Sequence, residues 1–234
     1  MRNRYGDCKD KTLFLRELLK QIDIKSYPVL IHTDQNKSIE SGNPSTRAFN
    51  HVILAIEYEH KFYFIDPTFT YQKGNFKNKK TSNYEVGLIL DDSENTFVEI
   101  PTDTVSKIIV TEDFNINSDT KDAILKVESI YTGIHADRTR YSYSNSSIAD
   151  MQENYRSFYL KYTDEVEVLD TLVFIDDEEQ NEIRITEHYL LKGFWTKADS
   201  ADTKIQKDFI PYVLNEKIIY VTDNIRKQYL EIPF

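Results

Sequence analysis

The sequence predicts an α+β fold in two parts, and three patterns carry that expectation. Residues 8–20 place apolar side chains at helical spacing, through Leu13, Phe14, Leu18, Leu19 and, just beyond, Ile22, so that one apolar stripe runs along a helix. Residues 26–100 contain β-branched and aromatic runs separated by polar turns, as a sheet requires. Beyond Val105 short alternating runs recur at close spacing, which predicts a β-rich sandwich or half barrel.

Taken in order, the helix begins at a cap. The Asp7 carboxylate can accept from the unpaired amides of the first turn. Cys8 then occupies the first helical position, where the positive end of the helix dipole favours a thiolate. A strand follows at 26–32, and the polar loop 33–46, with Gly42 and Pro44, leads on to Phe49. Residues 51–58 and 61–66 read as a tight hairpin around the polar Glu59-His60. Two registers fit. A turn centred on Tyr58-Glu59 sets His51 directly opposite Asp66, whereas a turn at Glu59-His60 makes them diagonal neighbours; either brings an imidazole near a carboxylate. Two more strands are expected at 84–90 and 96–100, with Ile100-Pro101 as a domain edge, so that the domains run 1–101 and 102–234.

In the second domain the expected strands lie at 107–110, 123–131, 166–175, 182–190, 218–221 and 229–232. One helix interrupts them near 147–162. Its Ile148, Met151, Tyr155, Phe158 and Tyr162 lie at helical spacing behind a Ser146 or Ser147 cap, a stripe that reads as core packing.

Cys8 is the only cysteine in the chain, and a lone cysteine is commonly a small buried hydrophobe. His51 and Asp66 give it a chemistry. Asp66 would fix the tautomer of His51 and stabilise its imidazolium, while His51 takes the proton of Cys8 and later gives it to a leaving group. The catalytic candidates are therefore Cys8, His51 and Asp66. The other histidines, His32, His60, His135 and His188, are scattered and form no pair at metal-ligand spacing. An open zinc site from His32, His51 and Asp66 is the weaker alternative; the favoured reading needs neither metal nor cofactor.

Three runs then fall in order: Gly6-Asp7-Cys8-Lys9-Asp10-Lys11; Phe49-Asn50-His51-Val52, its histidine 43 residues after the cysteine; and Asp66-Pro67-Thr68, its aspartate 15 residues after the histidine. This pattern resembles the core of the transglutaminase-like superfamily. The resemblance is strong over residues 4–70. It continues more weakly through Pro101 and a tail containing Ala136-Asp137-Arg138, Tyr155-Arg156-Ser157-Phe158-Tyr159 and Glu187-His188-Tyr189. It implies a papain-like core, in which a helix carrying the cysteine packs on an antiparallel sheet, with Cys8, His51 and Asp66 as an ordered triad.

More narrowly, the chain is similar to a bacterial branch in which such a core lies between an N-terminal domain and a C-terminal β-rich one. Members of that branch are often exported, so a periplasmic location is what the resemblance implies for a longer protein. The departure is at the front, where only seven residues precede Cys8. The chain is thus expected to lack the N-terminal part of the core and to self-associate through the apolar surface left uncovered. It would also lack the upstream indole or amide side chain that helps such cores hold an oxyanion, leaving the Cys8 N–H as one donor.

Composition sets the outer bounds. With 234 residues, 40% of them hydrophobic and 13% aromatic, the chain can build a core. A net charge of −10 and a pI near 5.1 argue against nucleic-acid partners and anionic membrane surfaces. The basic stretch of Lys73, Lys77, Lys79 and Lys80, around Gly74 and Asn75, reads as a solvated loop. One cysteine excludes an intrachain disulfide, and no apolar run reaches 18 residues, so no membrane insertion is expected. Two functions follow. One is a thiol enzyme, a cysteine protease or amidase or an acyltransferase, acting on protein or peptide amides. The other is a binding or scaffold module, non-catalytic or weakly active, with a relic or incomplete triad.

Overall fold

Helix α1 spans Cys8–Lys20 and is capped by Asp7, whose Oδ1 accepts from the N–H groups of Lys9 at 2.9 Å and Asp10 at 3.2 Å. The Asp10 carboxylate accepts in return from the Asp7 N–H at 3.1 Å, closing a reciprocal box that satisfies orphan donors of the first turn. The computed structural model describes residues 5–43, 45, 47–76, 79, 81–91, 96–101, 106–117, 119–160, 163–197 and 205–206. The strands expected at 218–221 and 229–232, together with Lys77, Lys80 and Tyr162, lie outside these residues.

The face that α1 turns to the sheet is not the stripe expected from its leucines. Thr12 is fully buried, and its hydroxyl donates to the carbonyl of Val52 at 3.2 Å. Leu13, Phe14 and Leu18 are instead about half exposed, at 50%, 47% and 49%. The inward side carries Cys8, Thr12, Leu15 and Leu19, which follow one another at steps of four, three and four. Apolar residues occur on both sides of this helix, so their recurrence marks a helix without choosing its inner face.

The sheet beneath α1 contains five strands in the order β3-β2-β1-β4-β5, formed by β1 (Ser26–Ile31), β2 (His51–Tyr58), β3 (Lys61–Ile65), β4 (Val86–Ile89) and β5 (Thr96–Glu99). Every pairing in it is antiparallel. β1 lies along β2 from Ser26↔Ile56 to Ile31↔His51. β2 and β3 pair from Leu54↔Ile65 to Tyr58↔Lys61, which is the register with the turn at Glu59-His60. Both turn residues have positive φ, 50° and 59°, the mark of a type I′ turn built without the usual Asn or Gly. Val29, Ile31, Ile53, Ala55, Phe64, Tyr84, Ile89 and Ile100 form the core on one face of this sheet.

The chain forms two compact units that interleave along the sequence. The first takes Met1–Ile109, Ser129–Ser147 and Phe174–Ile185; the second takes Val110–Glu128, Ile148–Val173 and Thr186–Phe234. Within the first unit lies a helix that the sequence reading missed, α2 (Ile134–Tyr143). Its buried residues are Ile134, Ala136, Asp137 and Arg140, two of them charged, so it has no apolar stripe to announce it. Arg140 makes a bidentate pair with Asp176, Nε to Oδ2 at 2.8 Å and Nη2 to Oδ1 at 2.6 Å. Its Nη1 donates to the Tyr71 carbonyl, to Asp137 and to Asn181, which ties the segment after β3 to α2 and to residues 176–181.

The second unit is built on a four-stranded sheet in the order β6-β7-β9-β8, from β6 (Ile108–Ile116), β7 (Ala123–Thr132), β8 (Glu165–Asp177) and β9 (Glu182–Lys192). Of these strands, residues 108–109, 129–132, 174–177 and 182–185 belong to the first unit. Short connections at 117–122 and 178–181 make β6–β7 and β8–β9 antiparallel hairpins. A sandwich was expected here. Among the described residues the covered face packs instead against helix α3 (Ile148–Tyr159) and residues 193–195, because Tyr159, Phe194 and Trp195 close over Leu125, Val127, Val166, Tyr189 and Leu191. The two-residue strands β10 (Thr196–Lys197) and β11 (Ile205–Gln206) pair with each other. No helix among the described residues is long and apolar enough to cross a membrane.

Two carboxyls lie on that covered face. Glu187 is 2% exposed and accepts from the Tyr189 hydroxyl at 2.6 Å, and Glu112 accepts from Tyr159 at 2.9 Å. Burial, with the Glu112 charge nearby, pushes Glu187 up from 4.5 to about 7, against the pull of the Tyr189 bond. Between those values the folded chain holds a proton that the unfolded chain has lost, so stability falls as pH rises from 4.5 through about 7. The loss is roughly 3 kcal/mol. Urea unfolding followed by the fluorescence of Trp195, the sole tryptophan and a member of this core, should show that decline between pH 5 and pH 8 and much less of it in Glu187→Gln. An equal decline in both proteins would refute the assignment.

Candidate functional site

The hairpin places two of the three candidate residues. His51 opens β2 and Asp66 directly follows β3, so in the observed register they are diagonal neighbours, as the second of the two expected registers requires. His51 Nε2 and Asp66 Oδ2 are 2.8 Å apart. The aspartate side chain is 2% exposed and the histidine 14%. A buried carboxylate needs several donors to offset its lost hydration, and Asp66 has them. Besides His51, Oδ2 accepts from the Tyr84 hydroxyl at 3.0 Å, and Oδ1 accepts from the Thr68 N–H at 2.9 Å and its hydroxyl at 2.6 Å.

These contacts set the protonation of the pair. Burial pushes the Asp66 carboxyl up, but the bonds from His51 and from the Thr68 hydroxyl and N–H outweigh it and hold Asp66 below the usual carboxylate range. His51 is raised above its ordinary 6.5, first by the bond to Asp66, against the effect of burial, and further by the charge of Asp66 and by Cys8. Tyr84 is pushed far up by burial and by the charge of Asp66, so it remains a phenol and a donor. With Nε2 held by Asp66, Nδ1 is the ring nitrogen left for a thiol.

Helix α1 delivers the third residue. Cys8 lies one turn before Thr12 on the same side of the helix, and the carbonyl that Thr12 binds belongs to Val52, the neighbour of His51. Cys8 is half-buried and lines, together with His51, a cleft of about 350 Å³. The structure thus gathers all three candidates in one place. It adds two residues that the sequence reading did not assign. Thr68 was legible, since Asp-Pro-Thr is the kind of run in which an aspartate binds the N–H two residues on. Tyr84 comes from 18 residues away and had no local signal.

Other polar groups near the site are engaged elsewhere. Asn50 also lines the cleft, but its Oδ1 accepts from the Thr33 N–H and its Nδ2 donates to the Thr33 hydroxyl, both at 2.9 Å. His32 Nδ1 accepts from the N–H groups of Asp34 and Gln35 and so closes the turn after β1. His60 lies in the hairpin turn, and His188 pairs with Asp170 at 2.8 Å. No group of three or more His, Cys, Asp or Glu residues among those described is arranged to hold a metal ion. In the basic stretch, Lys73 pairs with Glu178 at 2.8 Å, while Lys79 is partly buried and its pKa is lowered by that burial.

Comparison of the chain with protein-family models, with curated proteins and with solved structures gives no match. The reading of the site therefore rests on its own geometry.

The geometry makes a titration prediction. In the wild-type protein the His51 imidazole should titrate above 6.5, and in Asp66→Asn it should drop below the wild-type value, because burial persists while the strongest upward influence is lost. Imidazole proton NMR across pH 4–9, with the signal assigned by His51→Gln, measures this. An unshifted His51 in Asp66→Asn would mean that the carboxylate does not control the ring.

Proposed function

We propose that the chain is a transglutaminase-like thiol enzyme that acts on protein or peptide amides through Cys8, His51 and Asp66. The observation that carries this reading is the 2.8 Å pairing of His51 with a buried Asp66 at one end of a cleft that Cys8 also lines. Helix α1, with its cysteine at the first position and its inner side against an antiparallel sheet, is the arrangement that a papain-like core implies, and this supports the fold-level resemblance.

The chemistry then follows from the groups present. His51 takes the proton of Cys8, and the sulfur forms a bond to the amide carbonyl carbon, pushing the carbonyl electrons onto oxygen. The Cys8 N–H, in the first helical turn where amides have no intrahelical acceptor, would supply one donor to that oxygen. The oxyanion collapses, the carbon–nitrogen bond breaks, and the His51 imidazolium gives its proton to the departing ammonia or amine. The resulting thioester is attacked by water or by an acceptor amine, with His51 removing the attacker's proton and returning it to sulfur. Water gives a hydrolase and an amine gives an acyltransferase; the same residues serve both. No step in this scheme calls for a cofactor.

A second reading, a binding or scaffold module, has one observation in its favour. Leu13, Phe14 and Leu18 of α1 and Ile22 just after it are exposed to solvent, the last at 65%, and an apolar surface of this kind favours self-association. The reactivity of the thiol separates the two readings. Iodoacetamide should label Cys8 at pH 6, and His51→Ala should slow that labelling at least about tenfold, because the base that takes the proton of the thiol is gone. His60→Ala, at the far end of the hairpin, should leave the rate within about twofold. Mass spectrometry of the labelled protein gives both rates. If the two variants react alike, Cys8 is not a histidine-activated nucleophile and the binding module is the better reading.

A further inference from the structure

The cleft beside Cys8 has a composition that selects among amide substrates. Its floor is apolar: Pro28 and Leu30 on β1, Val52 on β2 and Leu90 just after β4. Leu30 lies directly opposite Val52 in the sheet, and the Leu90 N–H donates to the Pro28 carbonyl at 2.9 Å, so these four side chains are set by strand register rather than by loop conformation. Leu13 of α1 and Phe49 form the walls. Phe49 is braced by Phe97, the ring centroids being 6.3 Å apart.

Charge in this lining is confined to His51 and Lys9. No carboxylate belongs to it, and its one ammonium, on Lys9, pairs with Asp7 at 3.2 Å. The amide of Asn50 is engaged by Thr33. The six apolar side chains offer a charged or carboxamide group nothing to replace its lost hydration, whereas a benzyl or branched aliphatic group would bury apolar area against them. Burying such a side chain corresponds to about tenfold to a hundredfold in binding.

We infer that the cleft formed by Leu13, Pro28, Leu30, Phe49, Val52 and Leu90 is the acyl-donor subsite, and that it takes a peptide whose large apolar side chain lies beside the scissile carbonyl. This inference rests on the proposed role of Cys8 as nucleophile and adds the substrate class. It disfavours a glutamine or glutamate side chain against these six residues, because none of them carries a side-chain polar group to pair with either.

The test uses acyl-amino-acid chloromethyl ketones, which are matched except for the side chain and alkylate a cysteine by forming a carbon–sulfur bond as chloride leaves. The side chains are benzyl, isobutyl, carboxamidoethyl and carboxyethyl, and iodoacetamide serves as a reagent with no side chain. The benzyl and isobutyl reagents should label Cys8 of the full chain at least about tenfold faster than the other two. Leu90→Glu should erase most of that preference, measured as the ratio to the iodoacetamide rate. The comparison among reagents on the unmodified chain needs no variant, so a variant that fails to fold leaves it intact. Equal labelling by all four reagents, with a His51-dependent iodoacetamide rate, would overturn the subsite and leave the nucleophile standing. An iodoacetamide rate indifferent to His51→Ala would overturn both.

Discussion

One buried hydrogen bond sets the relation between the helix and the sheet. Thr12 donates to the carbonyl of Val52, and it is the one residue of α1 that is fully buried. A hydroxyl sealed under a helix must find an acceptor, since leaving it unpaired costs about 1–3 kcal/mol. Leucines alone tolerate a range of helix rotations, because dispersion contacts have little direction. The hydroxyl does not. Its bond fixes the helix about its own axis and so decides which way Cys8 points. The acceptor belongs to the residue after His51, so the thiol and the imidazole are referred to one point of the backbone.

Asp66 anchors the other side of the site through an unusual concentration of donors. Four groups from three residues converge on its two oxygens: the His51 ring, the Tyr84 hydroxyl, and the Thr68 N–H and hydroxyl. Thr68 fixes the carboxylate locally, while Tyr84 ties it to the region just ahead of β4. Beyond it, the segment is held again where Arg140 binds the Tyr71 carbonyl and where the Lys73 N–H donates to Asp137. The imidazole is thus oriented by a group that is itself immobilised, which is what a base needs if its tautomer is to stay constant.

How much of this was legible depends on whether the controlling interaction is local. The span and cap of α1 could be read because Asp7, Asp10 and the apolar spacing lie within a few turns. The strands of the first sheet could be read from their β-branched and aromatic runs. The closeness of His51 and Asp66 could be read because a tight hairpin leaves few alternatives, but the register could not be chosen, since Tyr58-Glu59-His60-Lys61 has no Asn or Gly to mark its turn. The inner face of α1 was illegible because a threonine, not a leucine, defines it. Helix α2 was illegible because its buried side includes Asp137 and Arg140. Tyr84 and the helical cover of the second sheet depend on contacts between distant segments, which no local pattern records.

The contacts that complete the site differ in their reach along the chain. His51 and Asp66 are 15 residues apart on one hairpin, and isolated hairpins of this kind close in about 1–10 μs. The Thr12–Val52 bond spans 40 residues, so closing it costs more chain entropy. The imidazole and carboxylate are joined by a local contact, whereas the sulfur joins them only where α1 is docked. A chain in which α1 is undocked lacks the thiol at the pair, so His51-dependent reactivity of Cys8 is a measure of complete folding in this region.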